Sequence, residues 1–308
     1  MNTDADPLVV DHLSVRYGRV TAVDDVSFTV PRGEVYALLG RNGAGKSSTI
    51  QCLVGQRRAA AGVCRLLGQD SWKRRRRIME KVGVVPETPD IPPGATAVEL
   101  GRFLGRIRPV WNADEYAQRL ERVRVPCRLP AGSLSKGQRR QLALAAVLAA
   151  EPEVLVLDDP TLGLDAVVRR TLLEELVGEL ADRGTTVLVT THDLTGIEGI
   201  ADRVGIMQHG DLVYDETMDG LKDRFRRLRC VLSNGCSTAE VEHALERLEP
   251  AAARVVGAGV DAVIGLVDDE AVRVFRETTG IAEVELEPLG LEEIFVALCG
   301  DDDKGGEQ

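Results

Sequence analysis

The chain has 308 residues, of which 44% are hydrophobic and 28% are charged, and 49 Asp and Glu against 38 Lys and Arg give a formal net charge of −11. These proportions are typical of a globular protein with one substantial core and room for a second small one. The acidic total disfavours nucleic acid as a partner, because such binding depends on phosphate neutralisation by Lys and Arg. No apolar run approaches the roughly 18–20 residues that cross a bilayer, and the N-terminus lacks the layout of a signal peptide. The six scattered cysteines disfavour structural zinc and favour a reducing compartment.

The first half of the chain alternates between strand and helix patterns. Residues Leu8–Val30 alternate apolar and polar positions, which predicts an antiparallel β edge. Glu34–Leu39 predicts a buried strand that runs straight into glycine, and Ser47–Val54 predicts the helix that follows. From about Pro89 to Pro130 the pattern is helical and rich in arginine, which indicates a helical subdomain over about residues 89–150.

Two continuous apolar or β-branched runs, Val154–Leu157 and Thr186–Thr190, are of the kind buried in parallel sheets. The helical pattern of Arg169–Leu180 lies between them, so the order is β-α-β. This alternation predicts an α/β fold with a parallel core sheet.

The distribution of charge predicts a domain boundary. Residues 215–308 contain 22 Asp and Glu and 10 Lys and Arg, a net of −12, which leaves residues 1–214 near +1 of the total of −11. We therefore expect a first domain over residues 1–220, a small accessory α+β domain over 221–300 and a disordered tail over 301–308. The elements predicted in the second domain are strands at Arg229–Leu232, Ala253–Val256, Val260–Val267 and Ala282–Glu287, and helices at Thr238–Leu248, Asp269–Thr278 and Leu291–Leu298.

The strongest local motif is a glycine-rich loop between the buried strand and the helix after it. Its eight residues match G-x-x-x-x-G-K-[ST]: Gly40, Arg41, Asn42, Gly43, Ala44, Gly45, Lys46 and Ser47. Glycines let successive backbone N–H groups face phosphates, and the positive end of the helix adds to them. Lys46 reaches the β- and γ-phosphates, and the Ser47 hydroxyl can ligate Mg²⁺. Because a strand precedes the loop and a helix follows it, nucleotide binding is predicted over a chance glycine turn.

Two acidic residues and one histidine follow the two apolar strands. Asp158 and Asp159 lie at the carboxyl end of the first strand, where α/β proteins bind ligands. Asp158 is predicted to hold Mg²⁺ and Asp159 to face the attacking water. His192 follows the second strand and can hydrogen-bond the γ-phosphate or the water. The plain alternatives are an acidic turn before Pro160 and an ordinary loop histidine, and the phosphate loop favours the catalytic interpretation.

These motifs occur in an order that resembles the nucleotide-binding domain of ABC transporters. After the loop come Leu134-Ser135-Lys136-Gly137-Gln138, Leu157-Asp158-Asp159-Pro160, Leu162-Gly163-Leu164-Asp165 and then His192. The resemblance covers about residues 8–219. It implies an ABC-type P-loop ATPase that takes ATP and Mg²⁺ and forms a dimer, with itself or with a paralogous ATPase, that sandwiches two nucleotides.

The resemblance also implies roles for residues outside the phosphate loop. The signature segment of one subunit faces the γ-phosphate held by the other, and an aromatic ring stacks on adenine. The residues implied are Tyr17 at adenine, Ser48 beside the phosphate loop, Ser135, Lys136, Gly137 and Gln138 in the signature segment, and Asp165 in the loop that crosses the dimer interface. Without the resemblance, Tyr17 is as readily an ordinary strand tyrosine.

Two features narrow the resemblance further. Lys136 occupies the second position of the segment, where Ser-Gly-Gly-Gln with a glycine is commoner. An additional module follows the ATPase domain. Both resemble the ATP-binding subunits of ABC-2 type exporters, the group that contains bacterial drug and antibiotic self-resistance pumps. This subgroup implies an integral-membrane permease as a separate polypeptide and a peripheral position on the cytoplasmic face of the cell membrane.

The sequence departs from the family pattern at two positions. The second carboxylate, normally Glu, is Asp159, which is one methylene shorter and places its carboxylate about 1 Å further from the water, a displacement that can cost on the order of a hundredfold in rate. The loop that normally presents Gln to Mg²⁺ has Glu87, which can still ligate the metal but adds negative charge. Either the enzyme turns over, as intact Lys46, Ser47, Asp158 and His192 favour, or it is a catalytically weak regulatory ATPase that binds ATP as a switch.

The segment Lys73–Arg77 is the dense basic cluster of the sequence. A solvent-exposed helix face is the simpler explanation for this cluster. The more specific explanation is contact with anionic lipid head groups. No aromatic residue interleaves with these charges, so the segment does not predict a nucleic-acid module.

Overall fold

The chain divides into two units, residues 1–215 and 216–308. A computed structural model of the protein describes residues 6–162, 164, 168–170, 172–173, 183–231, 238–256, 259–265, 269–279, 281 and 284–300. Asp165, most of the predicted helix Arg169–Leu180 and the predicted tail 301–308 lie outside the described residues. No helix in these ranges is long and apolar enough to cross a membrane.

The first unit contains strands and helices that alternate over most of its length. In chain order they are β1 (Leu8–Tyr17), β2 (Val20–Val30), β3 (Val35–Gly40), α1 (Lys46–Leu53), β4 (Ala61–Leu66), β5 (Gln69–Asp70), α2 (Arg75–Ile78), β6 (Val82–Val85), α3 (Ala97–Ile107), α4 (Ala113–Arg122), α5 (Lys136–Leu148), β7 (Val154–Asp158), β8 (Thr186–Thr190), α6 (Leu194–Glu198), β9 (Arg203–Gln208) and β10 (Asp211–Thr217).

A six-stranded sheet in the order β10-β9-β3-β8-β7-β6 forms the centre of this unit. The pairs β3–β8, β3–β9, β6–β7 and β7–β8 are parallel. All residues of β3 and β8 are buried, which explains why their sequences are continuous apolar or β-branched runs. Because parallel strands end on the same side, the loops after β3, β7 and β8 meet at one edge.

The predicted antiparallel edge is confirmed as a second sheet in the order β2-β1-β4-β5. Its inward-facing residues share one hydrophobic core with the parallel sheet. The rings of Phe28 on β2 and Tyr36 on β3 stack with centroids 4.8 Å apart and planes 17° from parallel. The two sheets are thereby held together on the side of α1.

The predicted helical region consists of α3, α4 and α5, which have a core of their own around Tyr116 and Leu142. A capping box of Thr96 and Glu99 starts α3, and the Asn112 side chain caps α4. One ion cluster connects α4 to Arg183, three residues before β8: both Oε atoms of Glu115 are engaged, Oε1 by Arg119 at 2.6 Å and Oε2 by Arg183 at 2.5 Å.

The second unit is a small α+β fold. Its elements are α7 (Met218–Arg224), β11 (Arg226–Val231), α8 (Thr238–Glu246), β12 (Pro250–Val256), β13 (Gly259–Ile264), α9 (Asp269–Thr279), β14 (Val284–Pro288) and α10 (Leu291–Cys299). The order β12-β13-β11-β14 is that of a split βαβ fold, with β11 in the middle. Residues of α8 and α9 share a core with β11 and β13.

The first strand of this unit begins three residues before the predicted start at Arg229. Arg227 and Arg229 alternate with the buried Leu228 and Cys230, so charged residues mask the strand pattern. The two arginines pair with carboxylates of neighbouring elements, for example Arg229 with Glu287 at 3.0 Å and Arg227 with Glu293 at 3.1 Å. Part of the acidic excess of this unit therefore neutralises the arginines of its own sheet.

Candidate nucleotide-binding site

The glycine-rich loop follows β3 directly and ends where α1 begins. Gly40 and Gly45 have φ of 153° and 108°. A Cβ on Gly40 would lie 2.5 Å from the Met207 carbonyl oxygen, and one on Gly45 would lie 2.6 Å from that of Ala22. Both positions therefore need glycine for space as well as for backbone angle. No side chain among the described residues caps α1, so its first N–H groups point toward the loop, as phosphate binding requires.

Lys46 folds back across this loop. Its Nζ donates to the Gly40 carbonyl at 2.6 Å and to the Arg41 carbonyl at 3.1 Å. These bonds hold the ammonium over the mouth of the loop, where it can exchange carbonyl oxygens for the stronger charge of phosphate oxygens.

A cavity of about 290 Å³ joins the loop to the carboxyl ends of β7 and β8. The predicted residues that line it are Asn42, Gly43, Ala44, Gly45, Lys46, Ser47, Ser48, Glu87, Asp158, Asp159 and His192. The hydroxyl of Ser47 and the carboxylates of Asp158 and Glu87 are oxygen donors of the type that Mg²⁺ prefers. The donor set therefore fits a magnesium ion beside a triphosphate.

Thr190 organises the two carboxylates, although it is absent from the predicted site. It is paired with Asp158 in the register of β7 and β8, and its hydroxyl donates to Asp158 Oδ1 at 2.8 Å. The same hydroxyl oxygen accepts the Asp159 N–H at 3.0 Å. One buried side chain thus fixes the rotamer of Asp158 and the backbone of Asp159.

Asp159 has the geometry of a buried base. Its φ of 45° is left-handed, and the residue is 7% exposed. Its Oδ2 lies 3.5 Å from His192 Nε2, whereas its buried Oδ1 has no hydrogen-bond partner among the described residues. Burial raises the pKa of Asp159, and the nearby His192 and Arg140 partly oppose that rise. A raised pKa makes a carboxylate a stronger proton acceptor.

Glu87 is connected to the helical region through Arg140, a second residue absent from the predicted site. Arg140 Nε and Nη2 donate to the Glu87 carbonyl at 3.1 and 2.7 Å. Burial lowers the pKa of Arg140, while the Asp159 and Glu87 carboxylates act in the opposite direction. Its position two residues after the signature glutamine is the sequence signal that could have indicated it.

Tyr17 lies beside the start of α1, outside the cavity described above. Its hydroxyl is hydrogen-bonded to Ser48 Oγ at 3.2 Å and donates to Gln51 Oε1 at 3.4 Å. The residue is 41% exposed. A solvent-accessible ring next to the phosphate loop is positioned to stack on a base.

The signature segment caps α5 rather than lining the cavity. Ser135 Oγ accepts the Gln138 N–H at 3.1 Å, and Gln138 Oε1 accepts the Ser135 N–H at 3.0 Å. Ser135 and Lys136 are exposed, and neither Gly137 nor Gln138 is among the residues that line the cavity within the described part of the chain. This helix start is therefore available to a second molecule.

Comparison with known proteins places these features in one family. A family model described as "ABC transporter" matches residues 23–162, and a model of an AAA domain matches residues 128–197. The Nod factor export ATP-binding protein I of Burkholderia lata is 38% identical over 66% of this chain and 68% of its own length. The ABC transporter ATP-binding protein YtrB of Bacillus subtilis is 30% identical over 90% of this chain and 92% of its own.

Solved structures agree with the fold. An ATP-binding subunit of an ABC transporter aligns with a TM-score of 0.64 and 29% identity over 70% of this chain and 92% of its own. A dimeric ATP-binding cassette bound to ADP and Pi aligns with a TM-score of 0.62 and 20% identity over 68% of this chain and 98% of its own, which supports the fold alone. The relatives are consistent with the predicted ABC-2 exporter type. The chain therefore belongs to the ABC transporter family, as an ATP-binding subunit that hydrolyses ATP with Mg²⁺.

Proposed function

We propose that this protein drives export through a separately encoded ABC-2 type permease, at the cytoplasmic face of the cell membrane. Its relatives include proteins named for Nod factor export and for bacitracin transport. The observation that carries the ATP-hydrolysing part of the proposal is the cavity that contains Lys46, Asp158, Asp159 and His192. Nothing in the comparisons favours the alternative of a regulatory ATPase that only binds ATP as a switch.

The phosphates of ATP are held by the loop residues 40–47, with Lys46 on the β- and γ-phosphates and Ser48 next to them. Ser47, Asp158 and Glu87 would hold Mg²⁺, which would neutralise part of the charge of the triphosphate. Tyr17 stacks on adenine. This assignment follows from the placement of these side chains around one cavity and beside α1.

Asp159 Oδ2 accepts a proton from the attacking water, whose oxygen forms a bond to the γ-phosphorus while the bond to the β–γ bridging oxygen breaks. The products are ADP, phosphate and the proton on Asp159. His192 hydrogen-bonds the γ-phosphate or the water and keeps Oδ2 oriented, since its Nε2 lies 3.5 Å from that oxygen. Asp159 lines the cavity from a left-handed backbone with φ of 45°.

The site is completed by a second cassette. Ser135, Lys136, Gly137 and Gln138 of one subunit face the γ-phosphate of the other, and Asp165 lies at the dimer interface. The exposed start of α5 supports this arrangement, because a helix N-terminus with a serine cap favours an anion.

The permease is proposed to contact α3 of the helical subdomain. Phe103 and Ile107 lie one turn apart on α3 and are 58% and 57% exposed, so they form an apolar ridge on the surface. Residues 221–300 are proposed as an accessory domain that follows the ATPase domain of residues 1–220. Replacing Phe103 and Ile107 with serine is expected to abolish co-purification of the permease while the isolated subunit keeps its ATPase rate.

Steady-state ATP hydrolysis by the purified protein tests the central proposal. We expect turnover by the wild type, loss of turnover in Asp159→Asn, and retained or raised turnover in Asp159→Glu. An Asp159→Asn protein that hydrolyses ATP as fast as the wild type would remove Asp159 from the role of base. A wild type that binds ATP and never turns over would favour the switch instead.

A further inference from the structure

Arg140 on α5 is a buried cation that the mechanism above leaves without a role. It is 8% exposed. Nε and Nη2 both donate to one acceptor, the carbonyl oxygen of Glu87. Two bonds to one oxygen fix the plane of the guanidinium group. Its remaining nitrogen, Nη1, is buried and has no hydrogen-bond partner within the described residues.

A complementary atom lies in the same site. Oδ1 of Asp159 is also buried and also without a partner in the described part of the chain. Arg140 holds the carbonyl of Glu87, and Glu87 and Asp159 line the same cavity, so the two side chains border one site. A buried cationic N–H and a buried carboxylate oxygen are each costly when unpaired, and each is the strongest available partner for the other.

We propose that Arg140 is a positioning residue for Asp159, with Nη1 donating a hydrogen bond to Oδ1, directly or through one water, when the site closes on nucleotide. The proposal rests on the proposed function, because it concerns the base of the same reaction. Holding Oδ1 leaves Oδ2 for His192 and the attacking water. A glutamate would reach the water through its longer side chain. The shorter Asp159 is instead held by Arg140 in a fixed orientation.

The same side chain connects the metal-side loop to the base. Because its other donors hold the backbone of Glu87, a displacement of that loop or of α5 moves the guanidinium group and hence Asp159. Hydrolysis is therefore sensitive to the position of the helical subdomain through Arg140. A purely structural arginine would hold the Glu87 loop in place with no selective effect on the chemical step.

The test uses the full-length protein with Arg140→Gln and Arg140→Lys. For Arg140→Gln we expect kcat for ATP hydrolysis to fall about 10- to 100-fold while KM for ATP changes less than about threefold, because ground-state binding is separate from base orientation. Arg140→Lys retains a charged donor and is expected to recover part of the loss. The matched control is Arg108→Gln: Arg108 is another partly buried arginine that donates to a backbone carbonyl, that of Met79, and its loss should leave kcat within about twofold.

A double-mutant cycle separates positioning from folding. In an Asp159→Asn background, measured by single turnover, Arg140→Gln is expected to cause no further loss, since residues that act as one unit are not additive. An equal loss in both backgrounds, an unchanged kcat, or a change in KM alone would overturn the proposal. If Arg140→Gln does not fold, the same cycle is completed with Arg140→Lys. Failure of the wild type to hydrolyse ATP would instead refute the proposed function.

Discussion

The guanidinium group of Arg57 lies 3.9 Å from the centre of the Tyr17 ring. Gln51 joins the pair, since its Oε1 accepts from Arg57 Nε at 3.5 Å and from the Tyr17 hydroxyl at 3.4 Å. The ring is thereby oriented by α1 and by the loop that follows α1. Arg57 was not among the predicted site residues, because its contact with Tyr17 joins positions 40 residues apart.

Removing the ring is expected to weaken nucleotide binding more than removing the cation. Tyr17→Ala should raise the Kd for ATP on the order of tenfold, because stacking of a base on an aromatic ring is worth about 1–3 kcal/mol. Arg57→Gln should raise it about two- to fivefold, since an exposed cation–π contact is worth about 0.5–1 kcal/mol. Titration with a fluorescent ATP analogue measures both, with Arg58→Gln as the control. Unchanged affinity in Tyr17→Ala would mean that adenine binds elsewhere.

Thr190→Val is expected to lower activity without disturbing the strand. Valine has nearly the same shape but leaves Asp158 Oδ1 without the hydroxyl that donates to it. The Asp159 N–H loses the same hydroxyl and keeps its bond to the main-chain carbonyl of residue 190. We expect kcat to fall about tenfold and the free energy of unfolding to fall by about 1–3 kcal/mol, the cost of unpaired buried polar groups.

Thr185→Val provides the matched control for this substitution. Thr185 is 2% exposed and lies beside the opposite end of β8, where its hydroxyl donates to the Pro152 carbonyl at 3.2 Å. A similar loss of stability with kcat unchanged is expected. If both variants lost activity equally, the effect of Thr190 would be one of stability rather than of site geometry.

The ion cluster of Glu115 predicts a pH-dependent contribution to stability. Burial alone would raise the pKa of Glu115, but hydrogen bonds from Arg183 and Arg119 outweigh it and leave the pKa below its ordinary value. Since the folded-state pKa is below that of the unfolded chain, about 4.3, ionised Glu115 stabilises the fold above that pH. The contribution is lost as the pH falls through the folded-state pKa.

Glu115→Gln should therefore lower the free energy of unfolding by about 1–3 kcal/mol at pH 7, and its difference from the wild type should shrink as the pH is lowered past 4. Thermal denaturation at several pH values measures this. Glu121→Gln, an exposed position on the same helix, should show no such difference. A gap between Glu115→Gln and wild type that is constant with pH would contradict the ionic origin.

The parts of the site that depend on local sequence were predictable. The phosphate loop needs a strand, glycines, Lys46 and a helix in immediate succession, and Asp158, Asp159 and His192 follow strands whose apolar runs are unmistakable. Family resemblance added Tyr17, Glu87 and the signature segment, whose roles remain predictions.

Residues that act through sheet register or through long side chains escaped prediction. Thr190 meets Asp158 only because β7 and β8 are paired at those positions, and Arg140 reaches Glu87 across 53 positions of sequence. The short strand β6 was also missed, because Val82–Val85 contains Gly83. That glycine is explained by packing, since a Cβ there would collide with Val147 of α5.

The exposed signature segment leads to the last prediction, that each catalytic site is shared between two copies. Ser135 starts α5 away from the cavity that holds Lys46. Lys46→Ala and a bulky, charged Ser135→Arg are each expected to abolish hydrolysis alone, because every site of either homodimer is defective. In a mixed dimer both defects fall in one site and leave the other intact. An equimolar mixture should therefore recover about a quarter of wild-type activity if one intact site suffices, since half of the dimers are mixed and each mixed dimer has one intact site of two.

Mixing Lys46→Ala with Asp159→Asn is the control, because both defects act on the same subunit's nucleotide. Since the mixed dimer then has no intact site, no recovery is expected there. If the test mixture also failed to recover, Ser135 would act in the same subunit's site as Lys46.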